Sequence, residues 1–136
     1  MKKLISIICS ILGLTSCGNS QQQDLEKGKL VEIEANRKTI NALKNAGNNF
    51  EIERDVFHWI YFKSKSDQHN YFKEVQSKNF KLVLSNKIDG EFPYQLELVR
   101  KDKVTESEVN EYVLYLWRTA LKYNGDYDGW ETSVEK

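Results

Sequence analysis

Cysteine, histidine, an excess of charge of either sign and long apolar runs are all scarce in this 136-residue chain, and each scarcity closes off a chemistry. Its two cysteines, Cys9 and Cys17, both lie near the start, so the body beyond them has no thiol for a disulfide, a zinc site or a nucleophile. Its two histidines, His58 and His69, have no second His or Cys at ligand spacing. No serine falls in a recognisable pattern with a histidine and an acid, so the chain reads as non-enzymatic, with no metal and no cofactor. Twenty basic residues balance twenty acidic ones, which favours neither nucleic acid nor anionic lipid as a partner for the whole protein. The apolar run from Leu4 to Leu14 has 11 residues. Spanning roughly 30 Å of hydrocarbon takes about 20.

What the N-terminus does contain is a secretory pattern. Lys2 and Lys3 form a cationic start, the apolar run follows, and Leu14-Thr15-Ser16-Cys17 resembles the bacterial lipobox. That motif's cysteine takes a thioether-linked diacylglycerol, becomes the new N-terminus and is usually acylated again. The expectation is a lipoprotein signal peptide over 1–16, a lipidated Cys17, and a body held on a membrane on its extracytoplasmic side. Two or more acyl chains, at about 0.8 kcal/mol per buried CH₂, anchor firmly. Losing Lys2 and Lys3 leaves 18 basic residues against 20 acidic. Gly18 to Asp24 offers nothing apolar to bury, so 17–28 is expected to be the lipidated cysteine and a flexible tether, with one domain over 29–136.

Leu30, Ile33, Ile40 and Leu43 recur mostly at helical spacing, and Asn45-Ala46-Gly47-Asn48 supplies a stop. From Phe50 to Phe62 the period becomes two, with Val56, His58, Ile60 and Phe62 on one side and Phe57, Trp59 and Tyr61 on the other, as in a central strand. Ser64 or Ser66 can cap a second helix whose inward residues are Tyr71, Phe72 and Val75. Phe80 to Leu84 and Tyr94 to Leu98 read as a hairpin turning at Asp89-Gly90. Thr105 and Glu108 form a capping box at the head of the longest helix, with an apolar stripe of Val109, Tyr112, Val113, Leu116, Trp117, Ala120 and Leu121. A last strand runs from Tyr127 to Val134. The order after the first helix is β-α-β-β-α-β, so the predicted fold is α+β: a ferredoxin-like two-layer sandwich with a four-stranded antiparallel sheet and an extra N-terminal helix.

Asp55-Val56-Phe57-His58-Trp59-Ile60-Tyr61-Phe62, Pro93-Tyr94-Gln95-Leu96 and above all Gly125-Asp126-Tyr127-Asp128-Gly129-Trp130-Glu131-Thr132 resemble the RraB family, regulators of ribonuclease E activity. The resemblance covers about Ala35 to Val134. It implies the ferredoxin-like arrangement and a non-enzymatic protein that binds ribonuclease E and lowers its activity. Two features depart from it. Ribonuclease E works in the cytoplasm, where a processed lipoprotein does not display its body, and this body is close to neutral where the family is acidic. The resemblance is therefore carried over for fold and protein-binding character. A cytoplasmic-type ribonuclease regulator is the alternative if the signal is spurious.

Asp126, Tyr127, Asp128, Gly129 and Trp130 lack EF-hand spacing, so this motif reads as mainly structural, with a bulge or close approach at Gly129 and Trp130 in the core. Trp59, Tyr61, Tyr127 and Asp128 are the candidate contacts for a protein partner. The face carrying Phe57, Trp59 and Tyr61 is expected to lie under the first helix; left uncovered, it would be an apolar patch of the kind that meets a protein. An aromatic sheet face also serves single-strand RNA binders, but the basic and glycine positions of the RNP1 pattern are missing. A small-ligand or enzyme site on the sheet face around His58 is the competing class.

Overall fold

Between Arg54 and Phe62 the chain alternates buried and more exposed side chains in the computed structural model, which describes residues 17–136. That nine-residue strand, β1 (Arg54–Phe62), is the middle of the fold. Around it stand α1 (Cys17–Asn45), α2 (Lys65–Val75) with a 3₁₀ turn at Gln76–Lys78, β2 (Lys81–Lys87), β3 (Tyr94–Asp102), α3 (Glu106–Lys122) and β4 (Gly125–Thr132). The sheet runs β2-β3-β1-β4 with every neighbouring pair antiparallel, the split β-α-β order of a ferredoxin-like sandwich. The predicted signal peptide, 1–16, lies outside the described residues.

The core forms between the helices and one sheet face. Val56, His58, Ile60 and Phe62 of β1 and Leu96 and Leu98 of β3 meet Tyr71 and Val75 of α2 and Val109, Val113, Leu116 and Ala120 of α3. A fully buried side chain of this kind contributes about 1.5–3 kcal/mol relative to an exposed one. Ser64 caps α2, its Oγ accepting the Asp67 N–H at 3.1 Å. Thr105 stands at the N-cap of α3, but the predicted capping box is not made. Its hydroxyl donates instead to Glu108 Oε2 at 2.7 Å. Leu121, expected in the buried stripe, is 47% exposed.

The first helix differs most from expectation. It begins at Cys17, so residues read as a tether form its opening turns. Helix formation is cooperative, and a packed downstream segment can propagate into a polar one that has nothing of its own to bury. Its inward positions are Gly28, Glu32, Asn36, Ile40 and Leu43; Leu30, expected among them, is 63% exposed. Nor does α1 cross the face carrying Phe57, Trp59 and Tyr61. It lies on the helix side beside α3, where Asn36 Nδ2 donates to Asn110 Oδ1 at 2.9 Å and a Cβ on Gly28 would come within 2.7 Å of the Trp117 ring. Three helices thus share one side of the sheet.

Candidate functional site

Antiparallel pairing puts directly opposed residues on the same side, so the register gives the composition of the uncovered face. One row across it is Lys81, Val99, Phe57 and Glu131; the next is Leu84, Glu97, Trp59 and Gly129; a third is Asn86, Gln95, Tyr61 and Asp126. Phe57, Trp59 and Tyr61 are all half-buried, shaded by neighbours in the sheet and, among the described residues, covered by no helix. The Tyr61 hydroxyl is held by Gln95 Nε2 at 3.1 Å, while the Gln95 carbonyl accepts from Gln68 Nε2 of α2 at 2.7 Å. That relay ties one aromatic of the face to the helical layer.

Beside Phe57 the face dips into a shallow open depression of about 580 Å³, lined also by Arg54, Asp55, Lys101, Glu131 and Thr132. Arg54 is buried, and its guanidinium sets this end of the fold. It donates to the Ile52 carbonyl at 3.0 and 2.9 Å, to the Ser133 carbonyl at 3.1 Å, and to Asn48 Oδ1 and the Asn49 carbonyl. This one side chain knits the entry to β1 to the C-terminal segment. The charges on the face itself are mixed, with Asp55, Glu97, Asp126 and Glu131 against Lys81 and Lys101.

The four candidate contacts divide. Trp59 and Tyr61 stand on the open face, and Asp128 is half-exposed in the bulge beside it. Tyr127 is corrected: it is 2% exposed and points into the core, its hydroxyl 2.8 Å from His58 Nδ1. The cause is the bulge. Ile60 pairs with Tyr127 and Trp59 with Gly129, leaving Asp128 as the extra residue, so Tyr127 and Trp130 both turn inward three positions apart. Gly129 adopts φ +151°, a backbone that side-chain-bearing residues rarely take. Trp130 Nε1 donates to Asn36 Oδ1 of α1 at 2.9 Å, and Asp126 lies at the Tyr61 end of the face. The motif therefore acts mainly as the seam between sheet and first helix.

His58 faces the opposite way from the open surface. It is fully buried, edge-on to Phe80 and Tyr112 with centroids 5.7 and 5.6 Å away, and its Nε2 has no hydrogen-bond partner among the described residues. Desolvation, with a smaller push from Arg100, lowers its pKa to about 3. Burial likewise holds the Tyr127 phenol well above its ordinary value, so this pair is neutral across physiological pH. His58 is thus not presented on the open face, where a small-ligand site around it was expected. Among the described residues no group of three or more His, Cys, Asp or Glu side chains stands ready for a metal, and no helix is long and apolar enough to cross a membrane.

Sequence reasoning passed over Asn36 and Arg54, and gave Gln95 no bond to Tyr61. For Asn36 there was a signal: Glu32, Asn36, Ile40 and Leu43 keep the three-and-four spacing as well as the apolar set does. The family model for regulator of ribonuclease activity B, RraB, matches residues 33–132. The chain belongs to the RraB family. The matched span runs from the middle of α1 to the end of β4, so the sheet, both crossover helices and the Asn36–Trp130 seam all lie within it. No curated protein matches the chain. Membership in RraB makes this a domain of regulatory, protein-binding type, in a family that is not itself catalytic.

Proposed function

We propose that this RraB-family chain is a lipid-anchored, extracytoplasmic binding protein, tethered through Cys17, that holds a protein partner against its open sheet face in the manner of an inhibitor or immunity module. The observation that carries the binding site is the uncovered aromatic row Phe57, Trp59 and Tyr61, which three helices leave to solvent by sharing the other side of the sheet. Aromatic residues are among the anchors enriched at interfaces, and a row of them on a face ringed by polar groups suits a protein partner. Four carboxylates around that row against two ammonium groups suit a protein surface better than a phosphate backbone. The anchor rests on the lipobox-like Leu14-Thr15-Ser16-Cys17 and the cationic, apolar segment before it.

Mass spectrometry of the mature protein tests the anchor: a diacylglyceryl Cys17 at the N-terminus is expected, and an intact, unacylated Met1 refutes it. Cys17→Ser should move the protein from the membrane to the soluble fraction. A photo-crosslinker at Trp59 should capture a defined extracytoplasmic partner that is lost on Tyr61→Ala, whereas one at Lys122 on the helix side should not. Family membership favours one second reading, a cytoplasmic regulator that binds a ribonuclease. A protein equally soluble before and after Cys17→Ser, crosslinking to a ribonuclease, would establish that reading instead.

A further inference from the structure

The two sheet edges are not equivalent. β4 is half-buried along most of its length, whereas every residue of β2 is exposed, and β2 has a hydrogen-bonded neighbour on one side only. The pairing of β2 with β3 shifts register between Leu82 and Leu84, leaving Val83 as a bulge, and on either side of it alternate residues present their N–H and C=O outward. Four of the nine large apolar side chains exposed among the described residues, Leu82, Val83, Leu84 and Ile88, fall on β2 and the residue after it. A groove of about 430 Å³ runs beside this edge, lined by Phe72 and Gln76 of α2 and its 3₁₀ turn and by Asn79, Phe80, Lys81 and Leu82. Leu82 pairs with the buried Leu98, so it lies on the helix side, above that groove.

The charges on β2 itself, Lys81 and Lys87, are of one sign. Lys73, Lys78, Lys81 and Lys87 are exposed, and none forms an ion pair among the described residues. The carboxylates of the neighbourhood lie elsewhere: Glu91 in the hairpin loop is 3.8 Å from Lys63, Asp89 is in the same loop, and Glu97 is on the outer face. A second copy of this chain does not fit in the fully paired register. Two-fold antiparallel pairing of β2 along its whole length sets Lys81 opposite the copy's Lys87 at both ends, and like charges directly opposed destabilise a ladder.

We propose that the β2 edge docks an extended peptide segment of a partner protein, which adds as a fifth strand with an apolar side chain in the Phe72–Phe80–Leu82 groove and carboxylates toward its two ends facing Lys81 and Lys87. Main-chain hydrogen bonds supply affinity in this mode and alternate side chains supply specificity. Edge lysines are also a common guard against indiscriminate pairing, and here they leave the acid-ended strand as the one that passes the guard.

The probe is a fluorescein-labelled peptide of alternating valine and threonine with a glutamate at each end, titrated into the full chain in detergent micelles beside the same peptide ended by lysines. The acid-ended peptide should bind at least tenfold more tightly, lose affinity with added salt, and perturb amide resonances of residues 81–87. Lys81→Glu with Lys87→Glu should reverse the preference. Val83→Pro, with its circular dichroism unchanged, should abolish binding of both peptides. If that variant does not fold, the charge reversal decides. Equal binding of the two peptides, no binding, perturbation confined to Phe57, Trp59 and Tyr61, or dimerisation of the chain through β2 would each overturn the proposal.

Discussion

Burial removes His58 from its usual titration. Its pKa of about 3 in the fold lies below the ordinary value of 6.5, so the unfolded chain binds the extra proton between those values. Stability from this group is fully present above pH 6.5 and is lost as pH falls toward 3, with a slope of at most about 1.4 kcal/mol per pH unit. Urea unfolding of the wild type at pH 7 and pH 4.5 should show that loss, and His58→Phe should flatten it. Gly129 makes a second point at this scale. A methyl group there would meet nothing within 4 Å, yet the φ of +151° is a backbone that alanine resists, so Gly129→Ala should cost about 1–3 kcal/mol through strain alone. A chemical denaturation midpoint measures it. Tyr127 shows why residue roles were only partly legible: strict alternation along β4 misplaces whatever lies beyond a bulge, and one extra residue at Asp128 turns a surface tyrosine into a core one.

Among the elements, the sheet and the two crossover helices could be read because their periods are enforced by a single packed face. β1 alternates because one side is core, and α3 shows a stripe for the same reason. The first helix could be read only in its last turns, where Ile40 and Leu43 join the core; further upstream the contacts that set its position include polar ones. Asn36 joins Asn110 of α3 and Trp130 of β4, partners 74 and 94 residues away, and no hydrophobic period reports such a bond. Asn36→Ala should strip two half-buried polar partners of their bonds and cost about 1–2 kcal/mol. Hydrogen exchange should then show α1 losing protection ahead of the sheet. Asn36→Leu keeps the bulk without restoring the bonds, so it should recover little of the loss.

For the whole molecule, stability and binding occupy opposite sides of the sheet. Trp59→Ala removes a half-buried ring from a face that no helix among the described residues covers, so it should lower stability by no more than about 1 kcal/mol while abolishing partner capture. Leu116→Ala, on the packed side, should do the reverse, costing about 2–5 kcal/mol with capture retained wherever the protein is folded. Thermal unfolding alongside crosslinking yield separates the two. The face could be anticipated from Phe57, Trp59 and Tyr61; that it stays open could not, because the position of α1 depends on the seam at Asn36.

The opening turns of α1 bear on how an anchored body would sit. Residues 19–27 are almost all exposed, and the helix continues unbroken into the packed segment from Gly28. With lipid on Cys17, that stretch is a mast up to about 17 Å tall, not a leash, and it sets how far above the bilayer the aromatic face stands. Lengthening it by four alanines would raise the body by up to about 6 Å while its own packing stays unchanged. Capture that falls as the mast grows would mean the partner, too, is held at a fixed height from the membrane.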